Sequence, residues 1–295
     1  MDYKVFESSE GNVSKYVFTT EKFVLESVLY KYESFAKRTV ICCSIQSGCP
    51  VGCIFCGTGN KFIQNVDSDT IVKQIELVLK DKNIENVNSM CEKFQIMFMS
   101  MGEPMLNWKE LKIALYKLNV LYPNAQLLIS TIGVNNDEVF NDLIKISSEI
   151  DKIGLQFSIH KSNDVERNKL IPYKNKYSLR EIRDRGMFWN KMTGRPVYLN
   201  YCLTDENSKS EDIENLKNLF SPIIFNFTFS VICEKDSDLK SSSEKQLPKI
   251  RIFEKEFLKD GYNTRIFDPA GQDDIGGGCG QLWYVQNFLN KKSNG

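Results

Sequence analysis

Apolar and polar positions along this chain follow two periods. Short β-branched or aromatic runs have the length and composition of strands: KYVFTT (15–20), FVLESVLYKY (23–32), RTVICCS (38–44), FQIMFMSM (94–101), AQLLIST (125–131), GLQFSIH (154–160), PVYLNYCL (196–203), FNFTFSVI (225–232) and YNTRIF (262–267). Between most of them the period lengthens. SDTIVKQIELVLKD (68–81) places apolar residues at i, i+3, i+4 and i+7 behind an Asp/Ser cap signal, which predicts a helix. The stretches 107–122, 136–150, 178–192, 210–220 and 247–262 read the same way. Strand and helix thus alternate about six times, an order that implies parallel strands joined by helical crossovers. Six such units suit an incomplete (β/α) barrel or a doubly wound sheet. The start of the chain differs. Two strand-like runs separated by Glu21 and Lys22 predict a β-hairpin, so residues 1–38 are read as an N-terminal β extension and 39–295 as the main domain. No internal repeat or low-complexity tract interrupts this order.

Composition narrows the function classes. The 38 basic and 38 acidic residues cancel, so the electrostatic footprint of an avid nucleic-acid binder is missing from the chain as a whole, although a local basic groove remains open. No apolar stretch approaches the roughly 18–20 residues that span a bilayer, and MDYKVFESSEGN lacks a signal pattern; the expectation is a cytoplasmic protein with no membrane partner. Nine cysteines in such a chain favour thiols or metal ligands over a disulfide framework. Five of them, Cys42, Cys43, Cys49, Cys53 and Cys56, fall within CCSIQSGCPVGCIFC (42–56).

Cys49, Cys53 and Cys56 form C-x3-C-x2-C. A structural zinc site needs a fourth nearby Cys or His, and the single histidine, His160, is over a hundred residues away in sequence. A [4Fe–4S] cluster held by three cysteines instead keeps one iron open for a substrate or cofactor. The spacing, with Phe55 just ahead of Cys56, resembles the signature of radical S-adenosylmethionine (SAM) enzymes. Further blocks follow in order: Cys42 seven residues before Cys49, FMSMGEPMLN (98–107), STIG (130–133), FSIHKSNDVERNKLIP (157–172) and DDIGGGCGQL (273–282). Together they resemble the RlmN/Cfr family of radical SAM enzymes, which methylate an adenosine carbon in RNA, from about Lys15 to Tyr284.

The resemblance implies an α/β fold, a partial (β/α)6 radical SAM barrel with a short N-terminal β-hairpin extension. It also implies a [4Fe–4S] cluster on Cys49, Cys53 and Cys56, and two SAM molecules per turnover. In the family one SAM methylates a cysteine near the C-terminus, and a second generates the radical that takes a hydrogen from that S-methyl group. The carbon radical adds to the adenine, and a second cysteine releases the product as a disulfide forms. Cys279, among glycines in GGGCGQL, matches the methyl carrier and Cys42 the resolving cysteine. Cys43 matches no family function; strand alternation puts it on the opposite face from Cys42. Glu26 matches the glutamate that takes a proton from the adduct. Gly102 and Glu103 in MGEP, Ser130, and Ser158, Ile159 and His160 match SAM contacts at the barrel mouth.

Departures concern the substrate side. Members carry an N-terminal RNA-recognition domain, whereas this chain begins almost at the hairpin, so the accessory module is expected to be absent. Cys233 and Glu234 stand near the place of a family asparagine, and Gln64, Asp268 and Gly271 replace basic residues, which weakens phosphate binding. RNA, ribosomal or transfer, is expected to be bound through Lys161, Arg167, Lys169, Lys174 and Lys176, with an electron donor such as flavodoxin or ferredoxin. Two other readings stay open: methylation of a small molecule, nucleotide or peptide, and a non-catalytic iron–sulfur redox or binding protein. Cys91, Cys202 and Cys233 are read as buried structural thiols.

Overall fold

The computed structural model describes residues 1–59, 61–232, 242–271, 274–278, 281 and 287. Its N-terminal strands are β1 (Asp2–Glu7), β2 (Val13–Thr19) and β3 (Val24–Tyr32), followed by β4 (Arg38–Cys42) and a small hairpin of β5 (Gln46–Gly48) and β6 (Phe62–Asn65). Helices α1 (Ser68–Asp81) and α2 (Val87–Met90) lead to β7 (Lys93–Phe98). A 3-10 turn (Pro104–Asn107) and α3 (Trp108–Leu121) then lead to β8 (Gln126–Thr131). The chain continues through α4 (Asp137–Glu149), β9 (Ile153–Ser158), α5 (Asp164–Leu170), α6 (Leu179–Thr193), β10 (Val197–Cys202), α7 (Ser210–Leu219), β11 (Phe225–Ser230), α8 (Ser242–Lys259) and β12 (Thr264–Phe267).

Ten of these strands form one sheet in the order β1-β2-β3-β4-β7-β8-β9-β10-β11-β12. The pairs from β1 to β4 are antiparallel. From β4 to β12 every pair is parallel, so β4 is the seam between the two regimes. Six strand–helix units followed by β12 give the expected partial barrel, and the N-terminal extension is continuous with its sheet. That extension has three strands where the sequence predicts two. Its extra strand β1 is exposed along most of its length and carries no alternation of buried and exposed positions, which is why the hydrophobic pattern missed it.

Local signals explain the helix starts. Asp67 accepts from the Thr70 N–H at 2.7 Å, and Ser178 with Glu181 forms a capping box ahead of α6. Helix α8 begins five residues earlier than the sequence predicts, so Pro248 lies within it rather than at its first turn.

Two apolar clusters cover the two faces of the sheet. The larger lies under the helices and includes Phe94, Ile96 and Phe98 of β7, Leu155 and Phe157 of β9, and Phe225, Phe227 and Phe229 of β11. The smaller lies on the other face of β2, β3 and β4 and consists of Val13, Val17, Val24, Val28, Tyr30, Val40 and Met101. Among the described residues no helix is long and apolar enough to cross a membrane. Phe227 packs on Phe257, with ring centroids 4.7 Å apart, and also meets Phe229 and Tyr262. Phe227→Ala is expected to cost about 3–5 kcal/mol, read as a lower denaturant midpoint at unchanged slope.

Candidate active site

The site begins where β4 ends. Alternation sends Cys43 into the helix-side core and leaves Cys42 against the smaller cluster on the opposite face, as expected. The β5–β6 hairpin then brackets the cysteine loop. Cys49 donates its N–H to Lys61 O at 3.0 Å and bridges to Gly59, while the Cys56 N–H reaches Cys53 O at 3.1 Å. Gly48 sits at φ +75° with Lys61 O so close that any Cβ would overlap it, so only glycine closes this hairpin. The Ile54 N–H, reaching Leu170 O at 3.1 Å, ties the loop to the end of α5.

Cys49, Cys53 and Cys56 are all half-buried. Burial pushes the Cys49 thiol up to about 12 and Cys53 higher still. Negative charge on neighbouring cysteines and Glu103 adds to the shift, and N–H groups of Val51 and Gly102 oppose it at Cys49. Three adjacent thiolates here therefore require a positive group. Among the described residues no three His, Cys, Asp or Glu side chains gather closely enough for a single metal ion. His160 does not complete such a set, because its Nδ1 accepts from the Cys202 N–H at 3.1 Å. A multi-iron cluster is larger than an ion, brings positive charge and takes three thiolates. The donor set fits a [4Fe–4S] cluster and not a structural zinc.

The turn after β7 stands beside this loop. Gly102, at φ +103°, lies against the side chain of Gln46 with no room for a Cβ. The Glu103 N–H donates to Gln46 Oε1 at 2.8 Å, and Gln46 Nε2 donates to Asn65 Oδ1 at 2.7 Å. Burial raises the Glu103 carboxyl to about 7 against the pull of its hydrogen bonds. Those bonds come from the Thr131 hydroxyl, the Ile132 N–H at 3.0 Å and the Met105 N–H at 3.1 Å. Glu103 therefore braces the end of β8 from within, and most of its accepting capacity is committed inside the chain.

Ser130 and Ser158 lie half-buried on adjacent strands with hydroxyls 3.3 Å apart, and Gln156 Nε2 donates to Ser130 Oγ at 3.0 Å. Ile159 packs into the helix-side core, its N–H bonded to Asn200 O and its carbonyl to the Lys161 N–H, so its side chain does not face this mouth. His160 is buried at φ +56°, and Phe55 of the cysteine loop meets its ring edge-on at 5.0 Å. Burial, then the Arg167 charge, lowers its pKa to about 3. The ring is thus neutral, with Nδ1 as acceptor.

The basic stretch after β9 needs correction. Arg167 is not a surface cation: it is fully buried and donates to the carbonyls of Tyr177 at 2.8 Å, Ile132 at 2.6 Å and Ser158 at 3.4 Å. Lys161 is also buried and pairs with Glu206 at 3.3 Å. Lys169 pairs with Glu166, and Lys176 donates to Asn168 and the Tyr173 carbonyl. Lys174 is exposed. Residues 164–170 form a short capped helix, and orienting that helix turns Arg167 inward.

Glu26 is fully buried on β3, on the same face as Val28, the direct partner of Cys42. Lys15 from β2, also buried, pairs with Glu26 Oε2 at 3.0 Å. It also donates to the carbonyls of Ile275 at 3.4 Å and Gly276 at 3.3 Å, and the Tyr30 hydroxyl donates to Gly277 O at 2.5 Å. The glycine segment leading to position 279 is thereby seated against Glu26. Cys279 lies outside the described residues, as do Cys233 and Glu234. Lys15 and Tyr30 were missed in the sequence, yet a lysine between Val13 and Val17 at inward-facing strand positions was a legible signal.

No family model matches the chain. It is 30% identical over 292 residues to a protein of Pseudothermotoga lettingae named probable dual-specificity RNA methyltransferase RlmN, a match covering 97% of this chain and 79% of that one. The chain belongs to the RlmN family. A relative from Nitrosopumilus maritimus named ribosomal RNA large subunit methyltransferase N is 31% identical, with 93% and 78% covered. The RlmN-family fold is shared with a radical SAM methyltransferase from Sphaerobacter thermophilus at a TM-score of 0.80 and 24% identity, covering 94% of this chain and 79% of that one.

His160 being the single histidine, one imidazole signal reports its state by NMR. That signal is expected to stay in the neutral form between pH 8 and about 4. A histidine depressed from 6.5 to about 3 stabilises the fold above pH 6.5 and loses that contribution as pH falls towards 3. His160→Gln, which keeps an acceptor, is expected to flatten this acid limb of the melting temperature.

Proposed function

We propose that this protein methylates C2 or C8 of an adenosine in RNA, with Cys279 as methyl carrier. The observation that carries this reading is the convergence, on one face of the sheet, of Glu26, Cys42 and the glycine segment entering Cys279. Two of those three lie next to each other across β3 and β4; the third comes from the far end of the chain. The names of the RNA-methylating relatives support the substrate class.

Cys49, Cys53 and Cys56 would hold the cluster, and Gly102, Ser130, Ser158 and His160 would line the SAM site, with Glu103 fixing the turn and Ile159 packing behind it. When bound, the cluster and SAM would supply the single electron, the hydrogen-abstracting radical and the methyl carbon, and would take back the one electron that the adduct must lose along with its proton. The residues of the chain do the rest. The Cys279 sulfur carries the carbon to the adenine, and Glu26 accepts the proton that leaves the substituted ring carbon. The Cys42 sulfur attacks the sulfur of Cys279; the S–S bond forms as the S–C bond breaks, and the freed carbon takes up a proton to become the product methyl. Neutral His160 serves this site as a wall and a fixed hydrogen-bond partner, since a group lowered to about 3 is a poor base at neutral pH. Exposed Lys61 and Lys174 flank the loop side and suit phosphate contacts, with an electron donor of the flavodoxin or ferredoxin class supplying reducing equivalents.

Cys42→Ala is expected to accumulate a covalent protein–substrate adduct under reducing conditions with SAM, while mass spectrometry finds S-methylation of Cys279 in the wild-type chain. A nuclease-sensitive adduct carrying adenosine supports the reading. An adduct with a small molecule or peptide instead removes RNA as substrate, and an unmethylated Cys279 after SAM incubation removes the carrier mechanism.

A further inference from the structure

The buried Lys15 ammonium, paired with Glu26, is a polar group to which the reaction above gives no part. Both side chains are almost wholly buried, on a face otherwise built of Val13, Val17, Val24 and Val28. For stability alone, an apolar pair of similar volume serves as well or better at such a place, because removing two charges from water costs several kcal/mol per ion. The geometry gives the pair another use. Lys15 donates to the carbonyls of Ile275 and Gly276, and its ammonium charge lies 3.0 Å from Glu26 Oε2. One cation thus touches both the carboxylate and the segment three residues ahead of Cys279.

We propose that Lys15 is a positioning residue that registers the Cys279 loop against Glu26 and holds the Glu26 carboxylate ionised for its proton-accepting step. The proposal rests on the assignment of Glu26 and Cys279 made above. Lys15 from β2 is a charged group facing Glu26. From the turns after β4 and β7 come the hydroxyls of Ser44 and Ser100, which donate to the Glu26 carbonyl, and the loop presents carbonyls. Those carbonyls would destabilise a carboxylate approaching them without an intervening cation. Lys15 therefore makes loop docking and base ionisation one event. The loop keeps independent anchors: the Tyr30 hydroxyl on Gly277 O, the Ser9 N–H on Asp274 Oδ2 at 2.7 Å, and the Gly277 N–H on Gly271 O at 3.1 Å. Removing the Lys15 charge while keeping its bulk isolates its effect on Glu26.

The test compares full-length, cluster-reconstituted wild type, Lys15→Met, Lys15→Arg and Glu26→Gln, with RNA as substrate. It reads S-methylation of Cys279 by mass spectrometry, the yield of covalent adduct, and the rate of adduct resolution against pH. A buried carboxylate that loses its cation has its pKa raised, so the ionised base is present only above the new value and the lost rate returns as pH rises. Lys15→Met is expected to keep S-methyl-Cys279 while adduct accumulates at pH 7. Its resolution rate should be about tenfold lower for each unit by which the pKa exceeds the assay pH, recovering towards pH 9, and Lys15→Arg should restore the neutral rate. A wild-type resolution profile in Lys15→Met, with adduct accumulating in Glu26→Gln, overturns the role of Lys15 alone. Parallel loss of S-methylation and resolution at every pH reduces Lys15 to a structural residue. Normal product release by Glu26→Gln overturns the base assignment and this proposal with it.

Discussion

Everything in this molecule is arranged around a sheet whose two faces must hold different things. Successive strand residues point to opposite sides, so each strand serves a helix-side core and an inner face at once. At the end of β4 this separates adjacent cysteines: Cys43 packs in the helix-side core and Cys42 lies against the smaller cluster on the other face. In β3 it places Leu25 and Leu29 in the large core while Glu26 and Val28 line the other side. A slip of one residue in the β3–β4 register would exchange these sets and put a carboxylate among phenylalanines.

Charge on the inner face is handled in two ways. The cysteine loop gathers three thiols and the nearby Glu103, an electronegative group that burial pushes towards its protonated state and that suits a cationic cluster. Glu26 instead meets a cation from its own chain, Lys15. His160 and Arg167 show the same economy around the mouth. The imidazole is kept neutral by burial, and the guanidinium spends its donors on three carbonyls at the ends of neighbouring elements. Truncating Arg167 would leave those carbonyls buried without donors, which is costly.

The elements legible in the sequence were those where local and global demands agree. Helices α1, α3, α4 and α6 carry apolar faces of the right period, and strands β8, β9 and β10 place an apolar residue at every second position, facing the helix-side core. What escaped was structure with no periodic burial, such as exposed β1, the three-residue β5 and the short α5. The cysteine spacing was legible because a cluster demands three thiolates close together in the chain. The SAM-side expectations were less uniform: Ser130 and Ser158 face each other, whereas Ile159 turns to the core and Glu103 is spent on Thr131 and Ile132.

By itself the sequence determined the order of strands and helices, the cysteine triad, and the likeness that names Cys42, Glu26 and Cys279, because each depends on spacing along the chain. Only the tertiary structure decided which charged residues are free to act. Lys161, Arg167, Lys169 and Lys174 look alike in sequence, yet packing makes one an ion-pair partner of Glu206, one a buried strut, one a partner of Glu166 and one a surface cation. Likewise, nothing local joins residues 15, 26 and 275. Their meeting depends on antiparallel pairing at one edge of the sheet and on the return of the chain after β12. Burial and partner geometry are properties of the whole fold, and they fix which side chains carry charge.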